Sequence, residues 1–277
     1  MRLAALVLAA TYCAGLYAGQ APGAQNSQAP GAQDSSVQNA SDGAAAYRAF
    51  QAWQKLPANA QLKWEETVAR YRRKLAAEGL TAAAAERTMR VIEARDEAAL
   101  YDPIYAGAPE FETRPNALLV EAVAQRGPGR ALDVGMGQGR NALHLARKGW
   151  EVTGFDVAAE GLAAARKQAA AERLTIETVH ASDEEFEFGA ERWDLIAILY
   201  PIEKRSVFRV ARALKPGGLV VIECGHRGTD GAPFEYGDNE LLEIFKEFLI
   251  LKYEDTVAVH DWVRKPMQMV RLIARKR

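Results

Sequence analysis

The period of the hydrophobic positions changes once along the chain, near residue 100, and each side predicts a different architecture. Before the change, Trp64, Val68, Tyr71 and Leu75 recur at spacings of four, three and four, a single helix face. Gly79 breaks that pattern, Thr81 can cap a second helix, and Ala85, Met89 and Ile92 form the buried side of that helix. Residues 44–100 therefore read as a helical extension that caps the C-terminal domain. After the change, short apolar runs alternate with amphipathic stretches. Strands are expected over 131–134, 151–155, 175–179, 194–199 and 219–223. Helices are expected over 141–148, then up to about 173, over 203–214 and over 239–248. Two further apolar strands, near 249–253 and 269–274, are joined without a long helix and suggest an antiparallel edge pair. This alternation predicts an α/β domain over 101–277, doubly wound, with a mostly parallel sheet and helices on both faces.

Ahead of the helical extension the patterning is different again. Arg2, the apolar run from Leu3 to Leu16 and the small Ala18 follow the grammar of a secretory signal peptide. Residues 1–19 are thus expected to direct export to the periplasm or beyond, with a cytoplasmic location as the alternative. The run falls short of the about 20 residues that a spanning helix needs, so no transmembrane span is expected in the mature chain. Residues 20–43 are mostly Ala, Gln, Ser, Gly, Asn and Pro, too poor in large apolar side chains to offset their ordering entropy, and read as a disordered linker.

Charge and composition narrow the function classes. Lys plus Arg (35) nearly cancels Asp plus Glu (36), which leaves no electrostatic reason to expect a nucleic-acid partner. The run Arg70, Arg72, Arg73, Lys74 reads as a solvated helix face, since Glu65, Glu66 and Glu78 lie close to it. If the first residues are removed, Cys224 is the one cysteine left, so no intramolecular disulfide is expected. The four histidines and Cys224 lack metal-ligand spacing, and no metal is expected.

The informative stretch is Ala131-Leu132-Asp133-Val134-Gly135-Met136-Gly137-Gln138-Gly139-Arg140-Asn141, where a strand ends, glycines alternate and a helix begins. Ligands of open α/β sheets bind outside the carboxyl ends of the strands, where such a turn sits. A dinucleotide turn reads GxGxxG and cradles a pyrophosphate. Counted from Gly135, its third glycine is replaced by Arg140, and Asp133 would repel a pyrophosphate. A carboxylate there suits a ligand with an ammonium and a sulfonium. Asp156 ends the second strand 23 residues after Asp133, about the ~20-residue offset at which an acidic side chain accepts ribose hydroxyls. Ser182 and Asp183 follow the third strand, where a carboxylate can accept from an adenine amino group.

On these residues the chain resembles the class I S-adenosylmethionine-dependent methyltransferases over about 101–277. The resemblance rests on the glycine turn, Asp156, Ser182-Asp183, Trp193-Asp194-Leu195-Ile196 and Leu214-Lys215-Pro216-Gly217-Gly218. Residues 137–156 are especially similar to the tellurite-resistance and thiopurine-type branch, as are Tyr101-Asp102-Pro103-Ile104-Tyr105 and Arg114-Pro115. The resemblance implies a seven-stranded, Rossmann-like sheet and S-adenosylmethionine as cofactor. It further implies that Asp133 and the turn from Gly135 through Gly137 to Gly139 meet the methionine half, Asp156 the ribose and Asp183 the adenine, with Val157 and Ser182 also cofactor-binding and Tyr105, in a segment lying across the cofactor, a candidate contact. Met136 departs from the small residue or cysteine common at its position, and its side chain is expected to point away.

The activity this implies is methyl transfer to an acceptor, a small molecule by preference, because the Asn/Asp-Pro-Pro-Tyr/Phe signature of nucleic-acid base methylation is missing after the fourth strand. Candidate catalytic residues are Tyr200, at the end of that strand, and His226, in the loop after the fifth. A sulfonium methyl is already a strong electrophile, so the reaction needs little acid–base help. The alternative function is a cofactor-binding protein of the same fold that senses or scaffolds without catalysis, which an exported location would favour because S-adenosylmethionine is made in the cytoplasm. A third reading, an NAD-dependent oxidoreductase, fails on the glycine pattern and on Asp133.

Overall fold

The computed structural model describes residues 35–107, 112–199, 204–226, 236–261 and 264–277. It divides into two compact units, one through Glu97 and one over Ala98–Arg277.

The first unit is helical. Helices α1 (Ser35–Gln54), α2 (Trp64–Ala77) and the greater part of α3 (Ala82–Ala106) surround a core of Phe50, Trp64, Val68, Tyr71, Leu75, Ala85, Met89 and Ile92. The expected helix faces are the ones buried. Edge-on aromatic packing fixes the centre, with the Phe50 and Tyr71 rings 5.0 Å apart at 83°. Gly79, at φ 90°, ends α2: the N–H of Leu80 returns to Leu75 O (3.1 Å) and that of Gly79 to Ala76 O (3.0 Å). Thr81 then caps α3, its Oγ1 accepting from Ala84 N at 3.2 Å. Two boundaries differ from expectation. Helix α1 begins at Ser35, inside the stretch read from sequence as a linker. Helix α3 also runs past residue 100, so Tyr101–Tyr105, at the start of the second unit, is helical. The expected signal segment lies outside the described residues. Among those described, no helix is long and apolar enough to cross a membrane.

The second unit carries α4 (Ala117–Val123), β1 (Arg130–Val134), α5 (Arg140–Arg147), β2 (Glu151–Asp156), α6 (Ala159–Ala171), β3 (Ile176–His180) and β4 (Trp193–Ile198). Beyond these lie α7 (Lys204–Ala213), β5 (Leu214–Gly225), α8 (Glu240–Ile244), β6 (Leu249–Val259) and β7 (Pro266–Arg275). The seven strands are arranged in the order β3-β2-β1-β4-β5-β7-β6. Pairs among β1 to β5 are parallel, while β7 runs antiparallel to both β5 and β6. This is the doubly wound, mostly parallel seven-stranded sheet that the alternation predicts, with the antiparallel pair at one edge. Strand alternation sends Leu132, Val134, Ile196 and Ile198 into one core cluster, and Ala131, Leu195 and Ala197 into another. Helices α4, α5 and α6 contribute to the second cluster, α7 and α8 to the first. The strand order reverses between β1 and β4, and the carboxyl end of β1 therefore opens a crevice.

Three features depart from the pattern-based expectation. Helix α4 is an addition to it, one short run started by Asn116, whose Oδ1 accepts from Leu118 N (2.9 Å) and Leu119 N (3.3 Å). Helix α8 stops at Ile244, well before residue 248. Strands β6 and β7 are longer than their apolar centres, since antiparallel pairing extends them through polar positions, and β5 also gains residues at its start, where Leu214 pairs with Trp193 of β4.

Candidate functional site

The site is built on the turn between β1 and α5. Gly135, Gly137 and Gly139 have φ of 63°, 50° and 81°, a region in which a side chain is strained, so the alternate glycines follow from the path of the backbone. At Gly137 there is a second reason: a Cβ would collide with the Tyr105 hydroxyl. Met136 is 5% exposed, its side chain packed where a Cβ on Gly154 would stand. Gly139 has no side chain to cap α5, and Asp133 does so in its place, with Oδ2 accepting from Ala142 N at 3.0 Å. Asp133 is 1% exposed. Burial pushes its carboxyl up to about 7, Asp156 adds to the rise, and the Ala142 N–H and Arg140 oppose it.

Asp156 ends β2 and ties two turns together: Oδ2 accepts from Gly137 N (2.8 Å) and Oδ1 from Ala158 N (2.8 Å). Burial raises its pKa and both backbone bonds work against the rise. Tyr105 lies over Gly137 and Gly161 from the last turn of α3, and burial, reinforced by Asp156, holds its phenol well above the usual range. One turn back, Asp102 Oδ1 accepts from Glu160 N at 3.0 Å and fastens α3 to the start of α6. Asp133, Gly135, Gly137 and Tyr105 thus line one cleft, together with Val134, Met136, Gln138, Arg140, Asn141, Leu199, Glu112 and Asp261.

The remaining expected contacts sit elsewhere along the carboxyl edge. Gly139 serves the turn and does not line the cleft. The Val157 carbonyl is 2.9 Å from His180 Nε2. Ser182 turns inward on its own loop, its Oγ 3.0 Å from Glu185 Oε2, while the Asp183 carbonyl accepts from Arg209 Nη1 (2.8 Å). His226 is not in the cleft; its Nε2 faces Asp238 and Asp255. Tyr200 lies outside the described residues.

Sequence reasoning misses the far wall. Arg140, which the glycine pattern marks only as a missing glycine, is 11% exposed on its side chain and bonds Asp261 Oδ2 at 2.7 Å. Asn116 Nδ2 donates to the same Oδ2 (3.0 Å) and to Glu223 Oε1 (2.6 Å), and Glu223 Oε2 accepts from Arg271 Nε at 2.6 Å. A chain of charges and amides therefore runs from the glycine turn to β5 and β7. No local pattern signals it, because its members are spread from residue 116 to residue 271.

The residues fit a ligand with a cationic amino-acid end. Backbone approaches freely at three left-handed glycines, and beneath them a carboxyl is held near neutrality by burial, which a positive ligand would ionise. Asp156, at the end of β2, has the chemistry for two hydroxyls, although Gly137 N and Ala158 N now use its oxygens.

Known proteins bear on this geometry. Residues 131–218 match a methyltransferase domain family. The chain is 31% identical over 175 residues to a ubiquinone biosynthesis O-methyltransferase of Alkalilimnicola ehrlichii, covering 56% of this chain and 64% of that protein. It is 26% identical over 181 residues to the probable S-adenosyl-L-methionine-dependent methyltransferase TehB of Haemophilus influenzae, covering 57% and 61%. The crystal structure of TehB from Haemophilus influenzae superposes with a TM-score of 0.53 at 22% identity, over 65% of this chain and 67% of that one, a likeness of fold. The chain spans less than two thirds of the length of these curated relatives.

Proposed function

We propose methyl transfer from S-adenosylmethionine to a small-molecule acceptor, on the premise that the C-terminal unit belongs to the class I S-adenosylmethionine-dependent methyltransferases. The observation that carries the reading is Asp133, a carboxylate buried under a left-handed glycine turn at the switch point of the sheet. S-adenosylmethionine, when bound, supplies a methyl group already activated by a sulfonium. The protein's share is then orientation and exclusion of water. Asp133 and the turn hold the amino-acid end, Asp156 accepts ribose hydroxyls, and Tyr105 covers the turn from α3. Arg140, Asp261 and Glu112 give the open side of the cleft a polar, charged wall, which suits a polar acceptor better than a hydrocarbon.

The ribose assignment has a direct test. Asp156→Ala removes a charged acceptor, a loss of about 1.5–3 kcal/mol, or roughly ten- to over a hundredfold in affinity. Titration calorimetry with S-adenosylmethionine measures it, and circular dichroism checks the fold. Equal affinity in a folded variant rejects the assignment. Formation of S-adenosylhomocysteine with candidate acceptors tests the reaction itself, and binding without turnover across them would favour the sensor reading.

Export is the second part of the proposal, supported by Arg2 and the apolar run from Leu3 to Leu16. Mass spectrometry of the protein from its native cell should find a chain beginning near residue 19. An intact first residue in the cytoplasmic fraction would show that the segment is retained.

A further inference from the structure

We infer that His226, Asp238 and Asp255 form a binding site for one divalent transition-metal ion, separate from the glycine-turn cleft. Three distant stretches deliver these side chains: His226 follows β5, Asp238 precedes α8, and Asp255 belongs to β6. None of the three lines the cleft. One donor atom from each lies within 4.8 Å of the others. Nε2 of His226 stands 2.9 Å from Asp238 Oδ1 and 3.3 Å from Asp255 Oδ2. Zinc–nitrogen and zinc–oxygen distances of about 2.0–2.1 Å put neighbouring corners of a tetrahedron about 3.4 Å apart. The two histidine contacts reach that spacing through shifts of tenths of an ångström, and the two carboxylates present oxygens within 4.8 Å of each other.

Charge and hydrogen-bond capacity point the same way. An imidazole nitrogen carries one proton at most and cannot aim it squarely at two carboxylate oxygens. A cation between the three donors meets both carboxylates and the nitrogen lone pair at once. Two carboxylates carry a charge that one divalent ion cancels and a protonated imidazole halves. Asp255 is also oriented from outside the cluster: its other oxygen, Oδ1, accepts from Gln268 Nε2 at 2.6 Å, which leaves Oδ2 turned toward His226. Outer hydrogen bonds of this kind fix ligating carboxylates in metal sites. The backbone is pinned at the same place, His226 N donating to Gln268 O at 2.9 Å. Asp238 is 89% exposed on its side chain, so the fourth position faces water and an added ligand can reach it. One nitrogen and two carboxylates suit ions of the manganese-to-zinc series. The sequence hides the site because its members follow no motif spacing; they meet only when β6 and the loop after β5 come together.

The test uses the full chain, stripped with chelator and titrated with zinc chloride and, separately, manganese chloride. Calorimetry should show one ion per chain. Asp238→Asn and Asp255→Asn should each weaken binding by roughly 10–100-fold, and Mn2+ should broaden the His226 ring resonances in NMR spectra. Asp238 is exposed enough for its substitution to leave the fold intact, which circular dichroism verifies. Absence of saturable binding, or binding that both variants leave unchanged, overturns the site and makes the cluster a hydrogen-bonded contact between the imidazole and the two carboxylates. Neither methyl donor nor acceptor enters the experiment, so its outcome is independent of the proposed reaction.

Discussion

Glu223→Ala is expected to cost the C-terminal unit about 3–5 kcal/mol of stability, the range for removing one partner of a buried ion pair. Glu223 is 7% exposed in the middle of the sheet's carboxyl edge. Its two oxygens take different partners, Arg271 Nε on β7 and Asn116 Nδ2 at the start of α4, both at 2.6 Å. Alanine strands a guanidinium that is itself three-quarters covered and leaves the Asn116 amide with Asp261 as its remaining carboxylate. Arg271 retains Glu254 at 3.6 Å, which places the effect toward the lower end. For a unit of this size each kcal/mol moves the melting temperature by about 2–4 °C, so calorimetry should record a fall of roughly 10 °C. Glu223→Gln, which retains an acceptor for Asn116, should lose less. A fall of only a degree or two in the alanine variant would mean that water already screens the pair.

The affinity for S-adenosylmethionine is expected to rise by roughly fiftyfold between pH 5 and pH 7, as Asp133 ionises around its value of about 7 and begins to attract the cationic ligand. Asp133→Asn should flatten that dependence and bind more weakly at pH 7, because a charge-assisted hydrogen bond is about twice as strong as a neutral one. S-adenosylhomocysteine, which has the ammonium and lacks the sulfonium, should lose less from the substitution. Stability without ligand should move the other way. The buried carboxyl holds its proton more tightly than it does in the unfolded chain, where its value is 3.8. Its contribution is therefore full below about pH 3.8 and is lost as the pH rises through 7. The asparagine variant should lack this loss and gain on the wild type above pH 7. Tighter NAD binding by the variant, or a pH-independent affinity in the wild type, would contradict the role given to Asp133.

How far the sequence can be read depends on how local each signal is. Gly135, Gly137 and Gly139 announce themselves because their left-handed backbone excludes other residues, and Asp156 because it ends a strand at a fixed offset. Those properties travel only a few residues along the chain. Asn116 is different. It looks like a polar loop residue, yet it caps α4, donates its own N–H to Asn141 Oδ1 at 2.9 Å and bridges Glu223 to Asp261. Its role exists only after three distant segments have met. Asp261 is invisible for the same reason, and so is the cluster around His226. The outer strand β6 is underestimated because Glu254, Asp255 and Thr256 interrupt its apolar run, and Val257 and Val259 beyond them face water.

The strand order also sets a timetable. Strand β7 is inserted between β5 and β6, pairing Leu219 with Arg275 across an interval of more than fifty residues. Until it arrives, β6 has no neighbour and β5 exposes an unpaired edge backed by Val220 and Ile222. A nascent or refolding chain must therefore carry an open sheet edge for as long as this non-local pairing takes. During that interval another molecule's strand can occupy the place of β7. Refolding yield should consequently fall with protein concentration even where the finished protein is freely dispersed.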